Sequence, residues 1–499
     1  MRQILKYEIS RKAEHLHREP LEVPCGVKRI YIDADLPEEF RYMSFLILED
    51  PAGKIRLQKQ LAWGEQHLGI GGGVEDTSIG GVPGEIKAGT WKVGIGIFTE
   101  YLQQRLGEQE GWITLTVSDE DNTLSDPIKG ISWTKEELVV SPATYQWDKK
   151  YNRERRWFKG DFHTHTRLSD GKESTENAMR KAVDMEMDFY VPTEHNLMHT
   201  GWCHTSLCVL PGIEVTTDKG HLNLFGITRM PRRILDILSE EKQDAVEQYM
   251  EETIQEAEES GWLTSINHPF LTIWKWRYGN TPLEKINCME IINDPTYQDA
   301  EPANEAALAF IDALWQDGHK VCGVGGSDSH NLLEERYEGA ELPSIPGDPA
   351  TWVWCDELTP RHLLDAVRKR HVCVTRFCSV DVSIQAEGRN FLPGDELPEE
   401  AKQARLSIRI RGYSEKVKVY VVCNGKFAKL HAVQTGTCVY EAETDLKLEQ
   451  GSWQWARLEV RGSRGEFLAY TNPVYRGCKK PTCRTFREIQ KITGEKIKI

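Results

Sequence analysis

The stretch GDFHTHTRLSDG, residues 160–171, sets His163 and His165 one residue apart, with Asp170 five residues beyond the second. On a strand, residues i and i+2 face the same side, so both imidazoles can converge on one ion. That spacing also arises by chance, and alone it is weak evidence. The weight comes from residues further along the chain. At successive strand-like ends it carries Glu194-His195 (PTEHN), Glu214 (PGIEV), His221 (GHLNLFG), His268 (NHPF), and Asp328 with His330 (GSDSH). All are imidazole or carboxylate donors with no cysteine among them, a set that suits Zn, Mn or Fe rather than a thiolate zinc knot. A purely structural account would need every one of these histidines to be an independently satisfied core or surface residue.

Three textures along the chain must position these groups. Residues 1–154 are rich in short alternating runs (VKRIYIDADL, MSFLILED, TWKVGIGIFTEYL, GWITLTVSDEDN) broken by Gly, Pro and Asp, which predicts a β-sandwich. From 155 to 377, short apolar strands such as MDFYVPTEH, GWLTSINHP and CMEIIND alternate with helical runs. These runs are STENAMRKAVDME, the acidic stretch 232–260, and ANEAALAFIDALWQDG. Alternation of this kind predicts an α/β barrel or layered sheet, with the site at the carboxyl ends of strands. Residues 378–478 return to period-two alternation (ARLSIRIRGY, KVKVYVVCNG, WARLEVRGS), predicting a second β-sandwich, and 479–499 form a basic C-terminal tail.

At 499 residues the chain exceeds what one core organises. Its net charge of −15 disfavours a long nucleic-acid groove, and a divalent-ion cluster would offset part of that charge locally. The N-terminus has no secretory h-region, and no run approaches a membrane span. The twelve cysteines are scattered without a CxxC pair. The expectation is a cytoplasmic protein that acts on a small molecule without a membrane partner. The GVGG before SDSH lacks the GxxxxGK[ST] of a triphosphate-binding loop.

The ordered series HTHTRLSDG, TEH, GIE, GH, NHP, SDSH resembles the PHP (polymerase and histidinol phosphatase) metallohydrolases. GIEVTTDKGHLNLFG, with the flanking β regions, is similar more narrowly to the CehA/McbA branch. The resemblance implies a distorted (β/α)7 barrel between two β-sandwich domains, and two or three divalent metal ions (Mn, Zn or Fe). It implies that His163, His165, Glu214 and Asp328 hold a first metal. Glu214 would bridge to a second held by His221 and His268, and Asp170, His195 and His330 would hold a third. Where the family more often has Thr-Asp-His, this chain has Thr193-Glu194-His195, which keeps the histidine and lengthens the neighbouring acid.

A metal-bridging hydroxide would attack phosphorus while the ions neutralise charge on the phosphoryl oxygens, so no Ser or Cys nucleophile is needed. The expected activity is therefore that of a phosphoesterase on an anionic phosphomonoester or small phosphodiester. Carbamate, ester or amide hydrolysis of the carbaryl-hydrolase type is the alternative the branch raises, and a catalytically inactive binding protein is a further one. An amidohydrolase barrel would need a bridging Lys where this chain has Glu214. The leaving group needs a proton or a positive neighbour. His199, His204 and Arg277 are the candidates, Glu194 is a candidate support, and Trp274 and Trp276 could form a wall beside the metals or pack beneath a loop.

Overall fold

Alternating patterns in the first 120 residues build two antiparallel sheets of four strands each. One has the order Arg2–Ile9, Gly111–Ser118, Ile30–Asp35, Gln66–Ile70, and the other Leu16–Val23, Gly89–Ile97, Ser44–Glu49, Ile55–Gln60. This computed structural model describes all residues except 11–14, 43, 65, 98–108, 121, 240–242 and 495–499. The end of the run TWKVGIGIFTEYL, position 121 of GWITLTVSDEDN, and the middle of 232–260 therefore lie outside the described residues. One face of each sheet supplies a shared core that includes Ile32, Leu46, Leu48, Trp91 and Leu115. Ser44–Glu49 is buried on both faces. Its alternate side chains Phe45 and Ile47 belong to a different core, packed with Trp133, Tyr190 and Met198 of the following region. Period-two alternation is what lets one strand serve two cores.

The strands that carry the candidate ligands are β1 (Arg156–Thr164), β2 (Phe189–Pro192), β3 (Gly212–Thr217), β4 (Gly220–Phe225), β5 (Leu263–Ile266), β6 (Cys288–Asn293) and β7 (Cys322–Gly326), followed by β8 (Ala350–Cys355) and β9 (Val372–Thr375). Several are buried along their whole length, as mainly apolar strands covered on both faces must be. Helices α1 (Thr175–Asp184), α2 (Gln243–Ser260), α3 (Ala300–Asp317) and α4 (Pro360–Arg368) lie between them. Ser174 and Thr359 cap α1 and α4 by accepting the amides of Asn177 and His362.

The expected distorted (β/α)7 barrel is not observed as one closed sheet. The strands divide into a sheet of order β3-β4-β5-β6-β7 and another containing β2-β1-β8-β9. The β3–β4 pair is antiparallel because a two-residue hairpin joins the strands and leaves no room for a crossover helix, and the reversed β4 pairs antiparallel with β5 as well. Two single bridges join the sheets, Thr164 with Ser329 and His195 with Glu214. Both seams fall at the ends of strands that carry candidate ligands.

The C-terminal β region shares a sheet with the α/β region. The open edge of β9 pairs with β10 (Phe467–Thr471), which continues through Gln454–Arg461 and Lys418–Cys423. One ten-stranded sheet thus runs from the α/β region into the C-terminal region. Pairing satisfies edge N–H and C=O groups that β9 would otherwise expose. A five-stranded antiparallel sheet centred on Gln403–Arg411 faces its outer half across a core including Ile408, Val419 and Leu458. Within the basic tail, α5 (Phe486–Thr493) opens on a Thr485–Glu488 capping box and stacks Phe486 on Phe310.

Candidate metal centre

His163 and His165 stand at the end of β1 and just past it, facing one side as the strand period requires. Their Nε2 atoms are 3.1 Å apart. Asp328 Oδ1 lies 3.2 Å from His163 Nε2 and 3.1 Å from His165 Nε2, and Glu214 Oε1 lies 3.3 Å from His163 Nε2. Glu214, from β3, also faces His221 at 3.0 Å and His268 at 3.7 Å, so its carboxylate sits between two groups of imidazoles. On the other side, Asp170 Oδ1 lies 3.4 Å from His195 Nε2 and 3.3 Å from His330 Nε2. The nine side chains named from the sequence thus lie in one continuous cluster. Three of its subsets bring donor atoms within 4.8 Å of one another: His165–Asp170–His195–His330, His163–His165–Glu214, and His195–Glu214–His221.

Two observations make this donor set fit divalent cations. Asp170 Oδ1 is buried and makes no well-aligned hydrogen bond, facing only the imidazole nitrogens of His195 and His330, so its lone pairs are free to complete a cation's coordination. Burial alone would raise the Glu214 and Asp328 carboxyls. The imidazoles of His221, His195 and His163 around Glu214, and of His163, His165 and His330 around Asp328, instead hold both well below the ordinary range. Burial and the neighbouring His330 and His195 push His165 down to about 4, leaving a neutral ring with a lone pair to share. Burial would lower His330, but Asp170 raises it to about 10, and a divalent ion seated between them would displace that proton.

Backbone geometry contributes as well. His268 and Asp328 adopt left-handed φ values of 26° and 51°, a conformation disfavoured for side chains with a Cβ and held only where the surroundings fix it. Gly326 lets β7 approach closely, since a Cβ there would lie 2.4 Å from both His163 Cβ and Glu290 Oε1.

The sequence reading missed the groups that orient these ligands. Glu290 on β6 is 1% exposed, and its Oε1 lies 2.6 Å from His163 Nδ1. Its Oε2 accepts the His268 amide at 2.9 Å. Asn267 Nδ2 donates to Glu214 Oε1 at 2.8 Å, and Thr216 Oγ1 sits 2.6 Å from His195 Nδ1. An acid inside the otherwise apolar run CMEII was the available signal for Glu290. Outer partners of this kind fix ring orientation and tautomer.

The non-ligand candidates fall in different places. Glu194 is fully buried and accepts from the Thr166 amide and hydroxyl, at 3.0 and 2.6 Å, and from Ser169 Oγ at 2.5 Å. It therefore organises the loop that joins His165 to Asp170. Burial opposes its ionisation, yet hydrogen bonding from His199 helps hold it at about 2. His199 is 1% exposed, lies 2.8 Å from Glu194, and packs edge-on against Trp202. His199 thus lies behind Glu194, whereas the more exposed edge of the cluster is at Asp170 and His330. Arg277 is likewise elsewhere: it is exposed and lines a cavity of about 370 Å3 with Lys275, Trp276 and Arg487, to which none of the nine candidate ligands contributes. His204 is exposed. Trp276 is buried and donates to Thr281, so it packs beneath its loop, whereas half-buried Trp274 meets Tyr297 edge-on.

No family model matches the chain, and no curated protein matches it. Among solved structures it is similar to a two-domain protein from Bacteroides vulgatus, described as containing a predicted PHP-like metal-dependent phosphoesterase. That likeness has 16% identity and a TM-score of 0.35, and covers 66% of this chain and 100% of the other. An amidohydrolase from Chromobacterium violaceum with bound sulfate and no metal shows 14% identity and a TM-score of 0.22, over 37% and 91% of the two chains. No helix among the described residues is long and apolar enough to cross a membrane.

Proposed function

We propose that the protein is a metal-dependent hydrolase of the PHP kind, CehA/McbA branch, acting on a phosphomonoester or small phosphodiester. The observation that carries the reading is the continuous cluster of six imidazoles and three carboxylates, with a buried Asp170 oxygen facing the His195 and His330 nitrogens at one end of it. In this reading residues 155–377 are the catalytic unit, flanked by β domains over 1–154 and 378–478. His163, His165, Glu214 and Asp328 hold one ion, Glu214 with His221 and His268 a second, and Asp170, His195 and His330 a third. Ions bound there supply Lewis acidity toward a phosphoryl oxygen and lower the pKa of water.

The chain's own residues do the rest. Glu290 and Asn267 fix the ligands so that little reorganisation accompanies substrate binding, and Glu194 holds the loop carrying Asp170. Burial of His163, His165 and Glu214 on one side leaves the edge at Asp170 and His330 as the side from which an anionic substrate reaches the centre. The test is turnover by metal-loaded protein of p-nitrophenyl phosphate, bis-p-nitrophenyl phosphate and aryl carbamates. His165→Ala is expected to abolish hydrolysis while circular dichroism and thermal unfolding stay near those of the parent. Turnover of carbamates alone would overturn the phosphoester assignment, and near-normal turnover by His165→Ala would overturn the site.

A further inference from the structure

The cluster is least covered at Asp170 and His330, whose side chains each keep 25% exposure. That edge is not built by the α/β region alone. Trp63, between the strands Ile55–Gln60 and Gln66–Ile70 of the N-terminal β region, donates its indole N–H to the Asp170 carbonyl at 2.5 Å. Tyr42 meets the Trp63 ring edge-on, with centroids 4.4 Å apart, and the Lys172 ammonium sits 4.5 Å from its centroid. Glu335 holds that ammonium with both carboxylate oxygens, at 2.5 and 2.6 Å. The Lys172 amide in turn donates to the His330 carbonyl at 2.8 Å. One aromatic side chain from the N-terminal region is therefore tied to the backbone of two of the three residues around the exposed end of the cluster.

We propose that Trp63 is a positioning residue for the third metal position, so that the N-terminal β region sets how tightly the third ion is held. The inference rests on reading Asp170, His195 and His330 as ligands. Asp170 lies in an irregular segment, and its Oδ1 is buried and makes no well-aligned hydrogen bond. Where that oxygen points depends on the peptide on either side. Gly171 is pressed so closely on the His165 backbone that a Cβ would lie 2.5 Å from its carbonyl carbon, which limits the loop from within. The indole N–H fixes it from outside by holding the Asp170 carbonyl. Of the other two positions, His163, Glu214 and His221 stand on regular strands, and the amides of His268 and Asp328 are held by Glu290 and the His163 carbonyl.

The experiment titrates the full-length apo-protein with Mn2+ calorimetrically and counts metal per chain after dialysis by plasma emission. Trp63→Phe keeps an aromatic ring and removes only the N–H, and Asp170→Asn identifies which equivalent belongs to the third position. The parent is expected to take three equivalents. In Trp63→Phe the third is expected to bind about three- to ten-fold more weakly, the scale of one hydrogen bond, with the first two unchanged. Hydrogen exchange over 166–173 should accelerate in the same variant. Three equivalents of unchanged affinity in Trp63→Phe would overturn the proposal, as would equal weakening of all three. Fewer than three in the parent would remove the third position itself, a failure of the ligand reading that is visible without any variant. Should Trp63→Phe not fold, Lys172→Met removes the ammonium from the Trp63 ring and from Glu335, and the same selective loss is expected. An unchanged third equivalent there would overturn the proposal equally.

Discussion

Replacing Glu290 by glutamine tests whether the outer groups set metal affinity. The carboxylate uses both oxygens: Oε1 faces His163 Nδ1 at 2.6 Å, and Oε2 accepts the His268 amide and Asn293 Nδ2, each at 2.9 Å. A glutamine amide is nearly the same size but has only one accepting oxygen. Whichever way it is turned, its NH2 group confronts either the imidazole N–H or the backbone N–H of a residue in the cluster. A hydrogen bond to a charged group is worth about 1.5–3 kcal/mol, and at about 1.4 kcal/mol per decade this is roughly a 10–100-fold loss of metal affinity. Loss of an outer partner of a ligating histidine has that same range. The assay is competition for Zn2+ or Mn2+ against a chromophoric chelator, with thermal unfolding in EDTA as a control on the apo fold. A change below about two-fold with the apo fold intact would refute the reasoning, because His163 would then ligate without needing Glu290 to orient it.

Two further outcomes are expected from other parts of the molecule. Arg457, fully buried, bonds Asp312 on α3 through two nitrogens at 2.8 and 2.9 Å and Glu459 at 2.6 Å, so Arg457→Ala strands the buried Asp312 carboxylate and leaves Glu459 with Arg461. The expected loss is about 3–5 kcal/mol in urea unfolding, and a loss below about 1 kcal/mol would show the pair to be energetically idle. Burial pushes Asp294 up to about 7 despite the hydrogen bond from Tyr337, so its folded pKa lies above the ordinary carboxylate value. The charged form is thus penalised in the fold, and native stability falls as pH rises from about 4 through 7. The stability of Asp294→Asn relative to the parent should therefore increase across that window and level off above pH 8 in calorimetry. A pH-independent difference would contradict the assignment.

Individual strands were legible because burial imposes its period on the residues. FYVP, LTSI and CMEIIN read as short, mainly apolar strands, and the structure buries them on both faces. How those strands close was not legible. A barrel and two sheets joined by single bridges place the same hydrophobic runs in the interior, and the choice between them depends on pairings between residues far apart in sequence. The same holds for β9, whose partner β10 lies nearly 100 residues downstream, so a boundary drawn from texture near residue 377 crosses a continuous sheet. The basic composition of the tail said nothing of its docking. That depends on Phe486 and Ile489 meeting Phe270 and Phe310.

For the site, the sequence by itself determined which donors are present, their order, and the chemistry they share, because donor type is a property of each residue and i, i+2 spacing is local. Only the tertiary structure decided which other groups orient those donors. It set Glu290 and Asn267 against the ligands, turned Glu194 onto the loop before Asp170, and brought Trp63 across from another region to the Asp170 carbonyl. It also seated His199 behind Glu194 and Arg277 at a separate cavity, away from the exposed edge at Asp170 and His330. The physical reason is range. A hydrogen bond selects its partner within about 3 Å, and which side chains come that close is fixed by packing between strands and loops that no short stretch of sequence records.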